Sequence, residues 1–307
     1  MQGQTERVPV RDGELVVHLL NGAPPSAPTA VALHSIASNG LAWTPVAEAL
    51  QGRVRVLALD MRGRAESADL RSTGIADHAA DVLAVLDHFE LKAPVLAGHA
   101  MGAFAATLAA ATAPPRVGGV VLVDGGLPYE PPGTFDVDEV LHGVIGPAMD
   151  RLTMVFDDAD AYLAHWRAHP SLGPHLDTPA GAHLAAYLLH DLAGPEGQMR
   201  STSSLECVRA DWTDLMSDPA TLSAVHALQC PGRLLWAQRG PLSQPQGLYT
   251  AARIAAAHLP ADIGVARLDT DHYGALLDPR AVRAVAAAIA AVTIGPPSGR
   301  AIHTAVS

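Results

Sequence analysis

The 307-residue sequence predicts an α/β fold: a mostly parallel central sheet with helices on both faces and a helical insertion. Three observations predict it. Short continuous apolar runs alternate with amphipathic stretches, the pattern of strands buried on both faces and joined by helical crossovers. Between residues 127 and 225 this rhythm gives way to helical patterns alone. At residues 94–104, "PVLAGHAMGAF", an apolar run turns through two glycines into an alanine-rich stretch, as a strand does when it bends sharply into a helix.

The elements follow in order. "RVPVRDGELVVHLL" alternates apolar and polar residues around Asp12-Gly13, a dipeptide suited to a tight hairpin turn, so two antiparallel strands open the chain. "TAVALHS" (29–35) reads as a buried strand, followed by a loop and the helical "AWTPVAEAL". "RVRVLALD" (53–60) repeats the strand pattern, and a helix from Ile75 to Phe89 places Val82, Val85, Leu86 and Phe89 on one face. "APVLAG" and "VGGVVLVDG" (117–125) are strands on either side of the helix after the turn. The insertion contains "VDEVLHGVIGPAMDRLTMVF", "ADAYLAHWRAH", "GAHLAAYLLHDLA" and "SLECVRADWTDLM" as helices and is read as a cap. "PGRLLWAQ" (231–238) resumes the sheet, "LYTAARIAAAH" is helical, "IGVARLD" (263–269) is the last strand, and "PRAVRAVAAAIAAV" is the closing helix. The expected organisation is thus a core in two parts, 1–126 and 226–295, a cap at 127–225 and a mobile tail at 296–307.

Composition narrows the function classes. With 49% apolar and 17% charged residues the chain is globular rather than disordered. Its formal net charge of -11, with no cluster of lysine or arginine, argues against a nucleic-acid partner. Cys207 and Cys230 are too few for a disulfide framework. The longest apolar stretch, "AVAAAIAAVTI", is about half what a membrane span requires, and no secretory signal pattern opens the sequence. A cytoplasmic protein without membrane association is expected, with homodimerisation left open.

Four motifs carry a resemblance over roughly residues 5–295. "LHSIASNGLAW" follows the first buried strand, "LDMRGRAES" the second, "GHAMG" the third, and "DTDHYGALLDP" the last. In this order they resemble the capped α/β-hydrolase superfamily, whose His-Gly loop, Asp-x-Arg-Gly loop, nucleophile elbow and late histidine loop they match. The resemblance implies a serine nucleophile at the elbow apex, but that position is Ala100. It implies His272 as general base, and Met101 and Ile36 as backbone oxyanion donors, with Ser35 as the fallback donor. Ser35 replaces the family's usual glycine and is a minor rival for nucleophile. His34 is a candidate for shaping the pocket, and His99 is expected to be a packing residue facing away from substrate.

In many relatives the triad acid follows the strand after the cap, but in "WAQRGP" that position is Gly240. Asp124, at the end of "VLVDGG", offers a carboxylate at the carboxyl edge of the sheet instead. Lactonases of the zearalenone type and hydrolases of vitamin B6 breakdown resemble this pattern. Asp269 and Asp271, beside His272, are the alternatives for the acid.

The implied activity is hydrolysis of a hydrophobic carboxylic ester or lactone through an acyl-enzyme, without a cofactor. The simplest reading of Ala100 is that a serine-bearing parent has been changed to alanine, giving a chain that binds substrate without turning it over. A natural non-catalytic receptor, or a carbon–carbon bond hydrolase or cofactor-free haloperoxidase, stays open as an alternative. Within the cap, Trp166, Tyr162, Tyr187, Leu188, Met149, Met154 and Trp212 are apolar candidates for substrate contact, with Trp166 first and Tyr187 also favoured. Arg151, Arg167 and Arg200 are each able to meet a single carboxylate. The cap histidines, His190 among them, lack metal-ligand spacing, so no metal is expected.

Overall fold

The computed structural model describes residues 4–128, 136–179 and 181–294; the expected tail at 296–307 lies outside them. The strands are β1 (Gln4–Val10), β2 (Gly13–Leu19), β3 (Thr29–Leu33), β4 (Arg55–Asp60), β5 (Val95–His99), β6 (Gly119–Val123), β7 (Leu192–Ala193), β8 (Arg200–Ser201), β9 (Gly232–Ala237) and β10 (Ile263–Leu268). Eight of them form one sheet in the order β1-β2-β4-β3-β5-β6-β9-β10, and β7 and β8 form a separate ribbon within the cap. The two neighbour pairs that involve β2 are antiparallel, and the others in the sheet are parallel.

The period-two alternation of side chains splits the core in two. Val31, Leu33, Leu57, Leu59, Leu96 and Leu122 pack on one face with Val82, Val85 and Leu86 of the Ile75–His88 helix and Phe104 of the Met101–Thr112 helix. Ala30, Ala32, Val56, Ala58, Val95 and Ala97 pack on the other face with Val46 of the Thr44–Ala49 helix and Val282, Val285 and Ile289 of the Pro279–Ile294 helix.

Three elements differ from the sequence reading. The long pattern after residue 136 is broken into Val137–Ile145 and Pro147–Asp150, because Gly146 has φ 45° and Pro147 supplies no amide to continue the helix. The helix in "LYTAARIAAAH" is only Ala251–Ala256. β10 is an edge strand with its central residues exposed rather than a buried one.

Between β6 and β9 lies the helical insertion, read from the sequence as a cap and called the cap here, with helices that include Ala159–Arg167, Gly181–Leu189 and Leu205–Ser217. A buried polar cluster holds the cap together and to the core. Arg151 Nε meets Asp191 Oδ2 at 3.0 Å, and its guanidinium donates to the Ala37 carbonyl in the core at 2.9 Å. Tyr162, Ser201 and Ser203 donate their hydroxyls to Asp191. Within this network a buried charge has its partners, which is the condition for burying it at all. Arg151 is therefore committed to the cap and is not offered to a ligand.

Candidate active site

The elbow is a tight strand-to-helix turn. Ala100, between β5 and the Met101–Thr112 helix, has φ 50° and ψ -115°, and its N–H donates to the Val123 carbonyl at 2.9 Å. A non-glycine residue held in this region stores about 1–3 kcal/mol of strain, which the packing around it must sustain. That packing depends on small neighbours: a Cβ on Gly102 would lie 2.3 Å from the Leu33 carbonyl oxygen, and one on Gly125 would lie 2.2 Å from that of Ala100. The helix must touch β3, and the turn after β6 must touch the elbow, for the site to close.

Asp124 follows β6 directly and is also strained, at φ 45°. Its backbone N–H donates to Leu235 on β9 at 2.8 Å, and the Ala237 N–H donates to its Oδ1 at 2.9 Å. The other oxygen, Oδ2, accepts from Nδ1 of His272 at 2.7 Å, and both side chains are buried. This bond places the imidazole proton on Nδ1 and leaves Nε2 as an acceptor. The two rival carboxylates have other partners. Asp271 accepts from the Gly274 N–H and from Ser243 Oγ, and Asp269 pairs with Arg239 at the surface. His99 lies with its ring centroid 4.4 Å from that of His272 and its Nε2 donates to the His272 carbonyl at 3.1 Å. Burial, with His272 beside it, holds His99 well below the ordinary histidine range, so its ring is neutral and supports the loop that carries His272.

The His-Ser-Ile loop is oriented from below. Nε2 of His34 accepts from the Met61 N–H at 2.9 Å, so Nδ1 carries the proton and donates to the Ser35 carbonyl at 2.7 Å. In a trans peptide the carbonyl and the following N–H point in opposite directions, so a Ser35 carbonyl held by His34 turns the Ile36 N–H away from it. Burial lowers His34 to about 3 although the bond to Ser35 pulls the other way, which makes the ring a fixed neutral donor. Arg64, fully buried, donates its Nε to the Ile36 carbonyl at 2.9 Å. The loop is thus fixed at two successive peptides.

Ala100, Met101, Ser35, Ile36 and His272 share the wall of one cavity of about 440 Å³. Its cap side is apolar: Val140, Val144 and Ile145 come from the Val137–Ile145 helix, and Trp212, Leu215 and Met216 from the Leu205–Ser217 helix. Gln246, Thr250 and Arg253 add polar groups on a further wall. At the start of the Met101–Thr112 helix, the first amides have no partner within the helix, so the Met101 N–H is suited to negative charge.

The structure gathers Ala100, Asp124, His272, Met101, Ile36 and Ser35, but the three favoured substrate-site candidates stand elsewhere, and Tyr162, Leu188, Met149 and Met154 are likewise off the cavity wall. Trp166 is not on the cavity wall. It is 2% exposed and sits in the core of the cap, against Tyr162 and His169 and under the Arg151 guanidinium at 5.1 Å. Tyr187 faces a small neighbouring recess and donates its hydroxyl to Ser38 at 3.0 Å. His34 acts from behind the loop rather than on the cavity wall. Of the cap aromatics among the described residues, Trp212 is the one on the wall.

Sequence reasoning missed Arg64 and Asp211. The Arg64 guanidinium lies 2.6 Å from Asp211 Oδ2, and His78 and Ser72 also bond that carboxyl. Burial alone would raise Asp211, but His78 and Arg64 hold it down at about 2. Arg64, bonded both to the Ile36 carbonyl and to Asp211, therefore links the loop carrying Ile36 to the helix carrying Trp212. The signal available in the sequence was the second arginine of "MRGRAES", which the usual motif does not require.

A family model described as alpha/beta hydrolase fold matches residues 28–273. A pimeloyl-[acyl-carrier protein] methyl ester esterase of Aliivibrio salmonicida is 37% identical over 93 residues, 30% of this chain and 34% of that protein. 3-Oxoadipate enol-lactonase 1 of Acinetobacter baylyi is 30% identical over 96 residues, 31% of this chain and 36% of that one. The matched stretch thus spans about a third of the length of these curated relatives. Among solved structures, E-2-(acetamidomethylene)succinate hydrolase superposes with a TM-score of 0.73 at 21% identity, covering 94% of this chain and 99% of that one. At that identity the likeness concerns the fold.

Proposed function

Because this chain belongs to the α/β-hydrolase fold family, we propose that its site is that of a serine hydrolase for hydrophobic carboxylic esters or lactones, with Ala100 in the nucleophile's place. The observation that carries this reading is the Asp124–His272 pair, bonded at 2.7 Å, whose His272 shares one cavity with the elbow apex. The apolar cap wall favours a hydrophobic acyl or ring portion, and the esterase and enol-lactonase relatives favour an oxygen ester. As it stands the chain binds such a molecule and leaves it intact, since a methyl group cannot attack a carbonyl.

With serine at position 100 the proposed reaction is a serine-triad hydrolysis. The hydroxyl attacks the carbonyl carbon as Nε2 of His272 takes its proton, and Asp124 stabilises the imidazolium that forms. The amides of Met101 and Ile36 receive the oxyanion. His272 then protonates the departing alcohol and later activates the water that releases the acid. Asp124 and His272 do the same work in a carbon–carbon bond hydrolase, so the cavity and relatives, not the pair, favour the ester.

The test is to compare the chain with its Ala100→Ser variant on p-nitrophenyl esters and aromatic or macrocyclic lactones. Turnover by the serine variant alone, with an initial burst of acyl-enzyme on the nitrophenyl esters, is expected. Ala100 itself favours one second reading, a non-catalytic small-ligand receptor. Tight ligand binding by both proteins with no turnover by either would replace the hydrolase with that receptor.

A further inference from the structure

Four residues far apart in sequence converge where the cap meets the antiparallel side of the sheet. His18 lies on β2, Asp60 ends β4, Glu66 is in the turn Ala65–Ser67, and His190 follows the cap helix Gly181–Leu189. One donor atom from each lies within 4.8 Å of those of the others. None of the four lines the cavity at Ala100. We propose that they form a site for one divalent transition-metal ion, zinc foremost, that fastens the cap to the core.

The geometry of His18 is the first argument. Its Nε2 is buried and makes no hydrogen bond, although it lies 3.0 Å from Oδ2 of Asp60. The approach is close but off the hydrogen-bonding direction, so a purely hydrogen-bonded cluster leaves this nitrogen idle at a cost. A shared ion gives its lone pair a partner. Asp60 is the second argument. Its Oδ2 faces Nε2 of His190 at 2.8 Å and the Glu66 N–H at 3.2 Å besides His18, while Oδ1 accepts from the Gly40 N–H at 2.8 Å. A carboxylate held in this way by backbone amides is oriented as metal-ligating carboxylates are.

The donor set agrees with the ion. Two imidazole nitrogens and two carboxylate oxygens suit zinc, whose ligands at about 2.0–2.2 Å stand about 3.3 Å apart in a tetrahedron. Two neutral imidazoles and two carboxylates carry two negative charges together, which a divalent cation cancels. The ion also has a way in, because Glu66 is exposed and a cleft of about 630 Å³ is lined by His18, Glu66 and His190.

Tag-free protein, stripped with a chelator and dialysed, would be titrated with cobalt(II) while the visible d–d bands are followed, and with zinc(II) while the melting temperature is followed. One equivalent of cobalt bound with visible bands, and a rise in melting temperature with zinc, are expected. His190→Gln and Glu66→Gln alter the two more accessible ligands, and circular dichroism of the stripped variants checks that each is folded. The affinity of His190→Gln should fall by at least the roughly 10–100-fold that loss of a ligand's own hydrogen-bond partner costs. No stoichiometric binding by the unaltered chain, or binding that is unchanged in both variants, would overturn the site. Neither measurement depends on position 100 or on turnover, so the metal site and the hydrolase reading stand or fall separately.

Discussion

Replacing Asp124 by asparagine in the Ala100→Ser variant tests the roles of both its oxygens. The Ala237 N–H holds Oδ1 at 2.9 Å and Nδ1 of His272 holds Oδ2 at 2.7 Å. An asparagine must keep its carbonyl oxygen toward Ala237, because its amide group there would oppose one N–H with another. The amide then faces His272 and donates to Nδ1, which moves the imidazole proton to Nε2. In that tautomer the ring cannot accept the serine proton, and the imidazolium also loses its counter-charge. Loss of the right tautomer in a serine triad costs about 10⁴ in kcat, or about 5.5 kcal/mol of transition-state stabilisation. Steady-state kinetics on the best ester, with a melting curve to show that this isosteric change preserves the fold, measures it. An asparagine variant that keeps more than about a tenth of the activity would refute the assignment of Asp124 as orienting acid, since a factor of ten is only about 1.4 kcal/mol.

In the same serine background, His34→Gln should lower kcat, by up to the roughly 10²–10³-fold that loss of an oxyanion donor costs, with little change in KM; a matching rise in KM would point to a ground-state role instead. Trp212→Ala should enlarge the cavity and shift the preference toward bulkier acyl groups by roughly tenfold in relative kcat/KM, whereas Trp166→Phe should leave that ratio alone and lower the melting temperature. Stability should fall on acidification below pH 6.5. His34, lowered from 6.5 to about 3, and His99, also held well below its usual range by burial, are neutral when folded, so the unfolded chain binds more protons as the pH falls. Between its folded and unfolded values each contributes a slope approaching about 1.4 kcal/mol per pH unit, so the stability it gives is complete above the unfolded value and is lost as the pH falls toward the folded one; urea melts between about pH 7 and about pH 5 check the sign.

The sequence by itself determined the order of the main strands and helices and the elbow, and it singled out His272 and Asp124 as the candidates for base and acid. These are local or ordinal facts. A run such as "TAVAL" must be buried on both faces, "GHAMG" must turn sharply, and Gly240 removes the usual acid, which left Asp124 to be sought at the sheet edge. Tertiary structure alone decided what converges. Helical spacing marks Trp166 and Trp212 equally as members of an apolar face, but not which face meets the cap core and which meets the cavity; the Arg64–Asp211 pair fixes the second helix with Trp212 toward Ala100. His18, Asp60, Glu66 and His190 have no common spacing, because their meeting depends on the register of β2 against β4 and on where the cap comes to rest. Periodicity reports whether a side chain is buried, whereas the identity of its neighbours is set by packing between segments far apart in the chain.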